Sequence, residues 1–153
     1  MKVHLLNTHL ESMKEHSDIR KAQMQECFDL VKEWNDGRSL IVFGGDLNIR
    51  DNEAGYRNDI ECYYEILNVG TLPDGFQDAW VAAGSQHKWR FTWDSSANDN
   101  VEAGGARCRF DRLYFHGGGV FSSVDFSLQG KDRIRRVLCF PSDHWAVLAK
   151  FHV

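Results

Sequence analysis

A continuous apolar segment that ends in two glycines constrains the fold of this chain most. Ser39–Phe43 contains four consecutive apolar residues and runs directly into Gly44-Gly45-Asp46-Leu47-Asn48. Such an uninterrupted run is typical of a strand that is covered on both faces, so it predicts a sheet with packed layers on either side. The glycines let the backbone turn and let another group approach closely. The sequence therefore predicts that Asp46 and Asn48 lie where a buried strand meets a loop.

The rest of the chain predicts helices outside a mixed sheet, the arrangement of an α/β protein. Ser17–Trp34 has helical periodicity, with Ser17 as its N-cap and Gly37 after its end. The residues expected on its packed face are Ile19, Ala22, Gln23, Cys27, Leu30, Val31 and Trp34. The other predicted elements are strands at Lys2–Leu10, Phe91–Trp93, Cys108–Phe115, Val120–Leu128 and Trp145–Val153, short helices at Ile60–Leu67 and Phe76–Ala83, and a polar loop at Asp94–Gly105.

Composition limits the classes of protein to which the chain can belong. Its 153 residues, 42% hydrophobic with five Trp, suffice for one core, so one domain or part of one is expected. The net charge of -4 gives no general attraction to nucleic acid, and any such contact needs a local patch. The scattered cysteines fit reduced thiols of an intracellular protein. No apolar run has membrane-spanning length, and the first residues lack a signal-peptide profile.

The chain begins directly in a strand that should lie inside a sheet. Val3, Leu5 and Leu6 follow the first two residues at once, and no earlier element is present to cover them. We therefore expect residues 1–153 to form the C-terminal part of a larger fold.

Two short polar motifs follow or precede apolar strands, and both carry side chains suited to phosphodiester hydrolysis. Asp46 and Asn48 are two residues apart, so an extended segment presents them on one side, where they can orient a water and hold a phosphoryl oxygen. The alternative is a simple turn, because Gly, Asp and Asn are common turn residues. In Pro141-Ser142-Asp143-His144, Asp143 could reach a metal-bound water and His144 could donate to a phosphate oxygen. A solvated loop is the alternative there.

Other polar residues in the predicted strands need partners or a function. Arg109-Phe110-Asp111-Arg112 brings three charges into a buried strand, so they must be paired or face a site, and Asp111 could orient a catalytic imidazole. His9 is by default structural. Trp93 could stack on a base, although a core position is the more common role. The basic run Lys131–Arg136 is by default a solvated face, and a phosphate-binding patch is the alternative.

Five motifs occur together in one order, and as a set they resemble the endonuclease/exonuclease/phosphatase superfamily. Within that superfamily they are most similar to the branch that cleaves 5′-tyrosyl–DNA bonds. The resemblance extends from His9 to Trp145. The motifs are His9-Leu10-Glu11-Ser12, Gly45-Asp46-Leu47-Asn48-Ile49-Arg50-Asp51, Thr92-Trp93-Asp94, Arg109-Phe110-Asp111-Arg112 and Phe140-Pro141-Ser142-Asp143-His144-Trp145.

The resemblance implies a four-layer αββα sandwich of two mixed sheets flanked by helices, with a Mg²⁺-dependent site (Mn²⁺ as a substitute) at the sheet edges. It implies the removal of a tyrosine, or of a trapped topoisomerase 2 peptide, from the 5′ end of DNA, and a nuclear location that can extend to the cytoplasm. The implied catalytic residues are Asp46, Asn48, His144, His9 and Asp111. The implied metal-shell residue is Asp143, and the implied substrate-binding residues are Ser12, Arg50, Trp93, Phe110 and Ser142.

The family pattern also includes features that this chain lacks. Its members carry an N-terminal half with an Asn and a metal-binding Glu, and no segment of this chain matches either. Two alternatives therefore remain beside the leading hypothesis. One is a superfamily phosphodiesterase that acts on abasic DNA or an inositol phosphate. The other is a catalytically silent fragment that serves as an interaction module.

Overall fold

A four-stranded mixed sheet forms the centre of the fold. The computed structural model describes residues 1–49, 72–117, 119 and 121–152. Strands β1 (Val3–His9) and β2 (Leu40–Asp46) pair in parallel, β6 (Asp111–His116) pairs antiparallel to β2, and the short β3 (Gln77–Asp78) pairs antiparallel to β6. The sheet order is β1-β2-β6-β3. The apolar run of the sequence is thus β2, an interior strand as predicted.

One face of this sheet packs on helix α1, which spans Ser17–Glu33. Ile41, Phe43 and Tyr114 point to this side and share a core with Met24, Phe28 and Val31 of the helix. Phe28 meets Phe43 edge to face at 6.2 Å between ring centroids. Aromatic pairs in this geometry add to the free energy gained by burial.

The buried face of α1 overlaps only partly with the predicted one: Val31 is buried and Cys27 and Trp34 pack against the core as expected. The buried residues are Arg20, Met24, Phe28 and Val31, whereas Ile19 is half exposed. Arg20 is buried because its guanidinium donates to the carbonyls of Glu11 and Met13, both at 2.9 Å. The aliphatic part of an arginine side chain can occupy a core position when its guanidinium has hydrogen-bond partners. A prediction from hydrophobic periodicity counts every arginine as polar and therefore misses such a position.

The ends of α1 also differ from the prediction. Ser17 is the first helical residue, and the N-cap is His16, which makes no side-chain capping bond. The helix ends at Glu33, and Gly37 adopts φ +70° three residues beyond the C-cap Trp34, in the turn that leads to β2.

A second sheet packs against the opposite face of the central sheet. It consists of β7 (Ser123–Gln129) and β8 (Ala146–His152), an antiparallel pair in continuous register. Val124, Phe126 and Leu128 alternate inward from β7 and meet the central-sheet residues Val42 and Phe115. Helix α2 (Ala79–Ala82) joins this second core through Ala79 and Trp80.

The α/β class with two sheets packed face to face and a helix outside is confirmed. Among the described residues the layers are α1, the central mixed sheet and the β7–β8 sheet, which is purely antiparallel. The predicted helix Ile60–Leu67 lies outside the described residues. No helix in the described ranges is both long enough and apolar enough to cross a membrane.

Three other predicted elements have different bounds in the structure, the first being the expected strand Phe91–Trp93, which is instead a strand at Trp93–Asp94. The expected helix Phe76–Ala83 is split, because Gln77 and Asp78 pair with β6 and Asp78 then caps α2 by accepting from the backbone N–H of Trp80 at 2.9 Å. The expected strand Cys108–Phe115 is also split, into β5 (Arg107–Cys108) and β6. Strand β5 pairs with β4 (Trp93–Asp94) rather than continuing into the central sheet. A sequence pattern cannot show this change of partner.

Candidate active site

Three candidate catalytic residues lie in one row across adjacent strands. His9 ends β1, Asp46 ends β2, and Asp111 begins β6. The strand register pairs His9 with Asp46 and Asp46 with Asp111. Residues that pair in this way project their side chains to the same side of a sheet. The predicted placement of Asp46 at a strand end is confirmed, and the pairing brings His9 and Asp111 beside it.

The two glycines of β2 make this row possible. Gly44 lies against the backbone of Arg112 in β6, and Gly45 lies against the backbone of Thr8 in β1, so that a Cβ atom at either position would collide with a carbonyl oxygen. Gly45 also has φ +129°, a conformation that disfavours any other residue. The glycines therefore draw β1 and β6 tightly around the end of β2.

His144 joins the row from the loop that precedes β8. Its Nδ1 lies 2.7 Å from Asp111 Oδ2, and its Nε2 lies 3.9 Å from Asp46 Oδ2. From the other side His9 Nε2 approaches the same Asp46 oxygen at 3.3 Å. Two imidazoles therefore flank one carboxylate, and a second carboxylate orients one of the imidazoles. This is the orientation of an imidazole by Asp111 that the sequence predicted.

The electrostatics of the cluster suit proton transfer. Burial, opposed by a hydrogen bond from the Asn48 N–H, raises the pKa of Asp46, and the nearby negative charge of Asp111 adds to the increase. The hydrogen bond to Asp111 raises the pKa of His144, and the charges of Asp111 and Asp46 reinforce it against partial burial. A carboxylate of raised pKa is a better base, and an imidazole of raised pKa keeps its proton to a higher pH than an ordinary histidine.

Asn48 is held beside Asp46 by the turn that follows β2. Its backbone N–H donates to Asp46 Oδ1 at 3.0 Å, and its side-chain Nδ2 donates to the Leu10 carbonyl at 3.0 Å. Its φ of +51° is left-handed, a conformation that Asn tolerates better than most residues. The turn interpretation is confirmed, because Asn48 lies in a turn rather than in an extended segment, and this turn fixes the carboxylate of Asp46. The role of Asn48 in hydrolysis stays a prediction.

An aromatic wall adjoins the histidine. The rings of Trp93 and Phe110 lie 5.7 Å apart, and the rings of Phe110 and His144 lie 6.2 Å apart. Trp93 also forms an isolated antiparallel bridge with His144. Both aromatic side chains are half-buried rather than part of the core. They therefore offer a flat apolar surface next to the polar cluster.

Sequence reasoning missed the buried polar residues that hold this cluster together. The hydroxyl of Thr92 accepts from the backbone N–H of Asp111 at 3.0 Å, and its carbonyl accepts from the N–H of Trp145 at 2.7 Å. Thr92 thereby joins the two segments that carry Asp111 and His144. The Thr-Trp-Asp motif pointed to this segment, although it singled out Trp93 rather than the threonine.

A second support comes from the loop after β4. Asn98 is fully buried, and its side-chain Nδ2 donates to the Ser142 carbonyl at 2.9 Å. Asn100 donates in the same way to the Phe140 carbonyl at 2.8 Å. These bonds fix the backbone on both sides of Pro141. The sequence contains no signal for them, since polar residues in a loop are usually solvated.

The charges of the Arg109–Arg112 segment have the partners that their burial requires. Arg109 forms an ion pair with Asp78 at 2.8 Å and lies 4.6 Å from the Trp80 ring. Arg112 donates to the Ile49 carbonyl at 3.1 Å. The prediction that these charges are paired or face a site is confirmed, since the two arginines have partners and Asp111 faces the cluster.

A metal ion could be held by Asp46, Asp111 and His144. One ligand atom from each of the three lies within 4.8 Å of the others. Among the described residues no other group of this kind is found. Asp143 is exposed, accepts from the Ser142 hydroxyl at 3.4 Å and lies outside this group. Its role in the metal shell stays a prediction.

The predicted substrate-binding residues occupy different positions around the cluster. Ser12 follows β1 and is half-buried, and its backbone N–H donates a hydrogen bond to Glu11 Oε1 at 3.1 Å. Ser142 is exposed, and its hydroxyl accepts from the His144 N–H at 3.1 Å. Trp93 and Phe110 form the aromatic wall described above. Arg50 lies outside the described residues.

Comparison with known proteins matches this fold and site to one family. The chain is 50% identical over 155 residues to the 5′-tyrosyl-DNA phosphodiesterase of Caenorhabditis elegans, covering 99% of this chain and 38% of that protein. It is 35% identical over 153 residues to tyrosyl-DNA phosphodiesterase 2 of Rattus norvegicus. The chain is thus similar in sequence and fold to a part of tyrosyl-DNA phosphodiesterase 2. It spans about two fifths of the length of the curated family members that it matches. No protein-family model matches the chain.

Solved structures of the family have the same fold. The crystal structure of the Caenorhabditis elegans enzyme superposes with a TM-score of 0.81 at 48% identity, covering 99% of this chain and 42% of that one. A Danio rerio tyrosyl-DNA phosphodiesterase 2 in complex with a single-stranded DNA product gives a TM-score of 0.80 at 32% identity. That match covers 97% of this chain and 56% of the Danio rerio chain.

Proposed function

We propose that this chain is part of a metal-dependent phosphodiesterase that hydrolyses 5′-phosphotyrosyl bonds in DNA. The reaction would remove a tyrosine, or a topoisomerase 2 peptide, and leave a 5′-phosphate, as in DNA repair. The observation that carries the proposal is the arrangement of His9, Asp46, Asp111 and His144 at one sheet edge, in a chain similar to a part of tyrosyl-DNA phosphodiesterase 2.

The residues of the cluster divide the chemistry between them. Asp46 orients a water and accepts its proton as the water oxygen attacks phosphorus, a role that suits its raised pKa. His144, held by Asp111, and His9 donate hydrogen bonds to phosphoryl oxygens whose negative charge grows in the transition state. Asn48 fixes Asp46 through its N–H and can contribute its amide oxygen to the water. The bond from phosphorus to the tyrosine oxygen breaks, and the tyrosine leaves.

The donor set fits a divalent cation, which we propose to be Mg²⁺, with Mn²⁺ as a substitute. Asp111 raises the pKa of Asp46, so the two carboxylates repel each other, and a bound cation would relieve this repulsion. One or two carboxylates are the usual protein ligands of Mg²⁺. Asp111 would hold the ion, with Asp143 as a further candidate, and Asp46 would remain the base that accepts the proton of the water. When bound, the ion would neutralise charge on the phosphoryl group.

The substrate side of the proposal rests on the aromatic wall. Trp93 and Phe110 lie beside His144 and can stack against the terminal nucleotide, since stacking accepts any base. Ser12, Ser142 and Arg50 are proposed to contact the same strand. The single-stranded DNA product bound by the Danio rerio relative supports a DNA substrate. With DNA as the substrate, we propose a nuclear location, with a cytoplasmic fraction, which imaging of the tagged chain would test.

We also propose that residues 1–153 are the C-terminal part of a catalytic domain and that an N-terminal half completes it. Leu5 on β1 is 72% exposed, and β1 has no partner on its outer edge among the described strands. A groove of about 360 Å³ runs beside it and is lined by Leu5, Leu6, Asn7, Val42, Gly44, Gly45, Asp111, Arg112, Leu113 and Val147. A second segment packed here would cover apolar surface and could bring the Asn and Glu of the family pattern to the site.

Hydrolysis assays test the function. The chain is assayed alone, and mixed with the N-terminal half of the catalytic domain from the Caenorhabditis elegans relative, on a 5′-phosphotyrosyl oligonucleotide and on an abasic duplex with Mg²⁺ or Mn²⁺. We expect release of tyrosine from the first substrate only. Cleavage of the abasic duplex alone would indicate a different phosphodiesterase. Absence of activity and of specific Mg²⁺ binding in both preparations would indicate a silent fragment.

A variant separates catalysis from folding. Asp46→Asn should lower kcat by roughly 10²–10⁴-fold, the usual contribution of a general base. Its melting temperature should be unchanged or higher, because burial already disfavours the charge of Asp46. If Asp46→Asn unfolds while its activity per folded molecule is preserved, Asp46 has a structural role and the proposed mechanism is wrong.

A further inference from the structure

The loop that joins β7 to β8 lies at the same end of the molecule as the active site. It runs from Gly130 to Trp145, and the register of the two strands pairs Gln129 with Ala146. His144 is in this loop, two residues before β8. Residues 131–138 are all exposed, so this half of the loop that carries His144 projects into solvent.

Internal bonds give this projecting segment a defined shape. The N–H groups of Leu138 and Ile134 donate to the carbonyls of Ile134 and Cys139, both at 2.8 Å. Arg133 donates to the Leu138 carbonyl and forms an ion pair with Asp99 at 2.8 Å. Arg133 therefore serves the structure of the loop. The loop is tied to the 94–100 segment that also supports Ser142.

Unlike Arg133, the neighbouring basic residues of the loop have no hydrogen-bond or ion-pair partner among the residues that the structure describes. Arg135 and Arg136 are exposed and form no hydrogen bond or ion pair with any residue that the structure describes. Lys131 adds a third cation, with its Nζ 5.8 Å from the Trp89 ring and 5.5 Å from the Trp145 ring. In a chain of net charge -4 these cations make the loop that carries His144 locally positive, even though Asp132 lies between them.

The tip of the loop is apolar, which an ordinary solvated turn does not require. Ile134, Val137 and Leu138 are 45%, 62% and 69% exposed. Leu138 also has φ +55°, a left-handed conformation that costs free energy for a residue with a Cβ. A strained backbone that places a large apolar side chain in solvent is more common at binding surfaces than in structural turns.

We propose that residues 131–138 form a rim loop that binds the DNA strand beyond the scissile bond. Arg135, Arg136 and Lys131 contact its phosphates, and the apolar tip of Ile134, Val137 and Leu138 packs on its sugars and bases. This inference rests on the proposed function, because it assigns a strand to a site that is proposed to cleave its terminal phosphodiester. It changes the interpretation of the Lys131–Arg136 run from a solvated face to a phosphate-binding patch.

The salt dependence of DNA binding tests the rim loop separately from catalysis. The chain is titrated into a labelled 5′-phosphorylated oligonucleotide of about a dozen nucleotides, without divalent metal so that no cleavage occurs. Each phosphate contact adds about 0.7 to the slope of log K against log salt for single strands. Arg135→Gln with Arg136→Gln should weaken binding and lower that slope by roughly 1.4. Val137→Ser should weaken binding without a change in slope.

A matched control removes the same charge elsewhere. Arg38 precedes β2 at the end opposite Asp46, and Lys150 lies near the far end of β8. Arg38→Gln with Lys150→Gln should leave affinity and slope unchanged. If the rim and control variants behave alike, the inference is wrong while the proposed function stands. If the unmodified chain, combined with the N-terminal half used in the hydrolysis assays, does not bind the oligonucleotide, the inference is wrong, and the hydrolysis assays decide the proposed function separately.

Two further measurements sharpen the result. Hydrolysis of a mononucleotide 5′-p-nitrophenyl ester by the completed enzyme should be the same in the rim variant and in the unmodified protein, because this substrate has no strand to reach the loop. A change in that hydrolysis would place the arginines in the reaction itself and overturn the inference. Stronger binding of the loop to phosphatidylserine/phosphatidylcholine vesicles than to the oligonucleotide would assign it to a lipid surface instead.

Discussion

At the scale of single residues, the hydrogen bond between Asp111 and His144 sets the charge state of the site. Because this bond is the largest cause of the raised His144 pKa, Asp111→Asn should move that pKa down toward its ordinary value of about 6.5. Titration of the His144 ring by NMR in the metal-free chain checks this, with His152, which pairs with Asp125 at 2.8 Å, as an internal control. An unchanged His144 pKa would contradict the assigned role of Asp111.

The same pair makes stability depend on pH with a definite sign. A histidine whose pKa is raised by folding binds its proton more tightly in the native state. Its stabilising contribution is complete below the unfolded pKa and is lost as pH rises through the raised native pKa. The difference in unfolding free energy between the unmodified chain and Asp111→Asn should therefore shrink from pH 6 to pH 9. Urea unfolding at several pH values measures this difference in unfolding free energy. A difference that grows with pH would show that the raised His144 pKa does not stabilise the folded chain.

At the scale of elements, the close packing of three strands around the end of β2 depends on Gly45. Gly45→Ala should cost about 2–4 kcal/mol, since it combines the left-handed strain with a collision against the Thr8 backbone. Gly84 has a similar positive φ of +87° but open space around it, so Gly84→Ala should cost only the strain, about 1–2 kcal/mol. Denaturant unfolding compares the two. Equal losses of unfolding free energy in the two variants would show that the close approach of β1 to Gly45 does not restrict this position.

Thr92 joins the segments that carry Asp111 and His144. Thr92→Val keeps the shape but leaves the Asp111 N–H without its acceptor, which should cost about 1–3 kcal/mol. Because Asp111 is then less well placed, kcat should fall with little change in KM, and the His144 pKa should drop. Thr92→Ser keeps the hydroxyl and should preserve both. Equal effects of Val and Ser on the His144 pKa would mean that only packing matters at this position.

At the scale of the whole molecule, the exposed face of β1 and the adjoining groove predict an incomplete surface. The chain alone should bind an apolar dye or self-associate, because Leu5 and the groove expose contiguous apolar area. Mixing with the N-terminal half of the catalytic domain of a relative should abolish both and raise the melting temperature. Leu5→Ser should reduce the dye binding and weaken that pairing, and Leu148→Ser on β8 serves as the control. A monomer that binds no dye would contradict the proposed division of the domain.

The sequence by itself determined the strand–loop junctions and the types of side chain they carry. The apolar run of β2 and its glycines predicted a buried strand that ends at Asp46, and the order of five motifs gave the family resemblance. Local patterns suffice for this, because strand burial and turn chemistry depend on neighbouring residues. They did not suffice for α1, where the buried Arg20 rotates the packed face away from the one that hydrophobicity predicts.

Only the tertiary structure decided how these pieces meet. Strand register places His9, Asp46 and Asp111 in one row, and long-range bonds from Thr92, Asn98 and Asn100 fix His144 beside them. These contacts join residues as far apart in the chain as Asp46 and Asp111, and contacts of that range leave no periodic trace in the sequence. The same holds for the rim loop, since a run of basic residues is an ordinary solvated face until the fold shows that it shares a loop with His144.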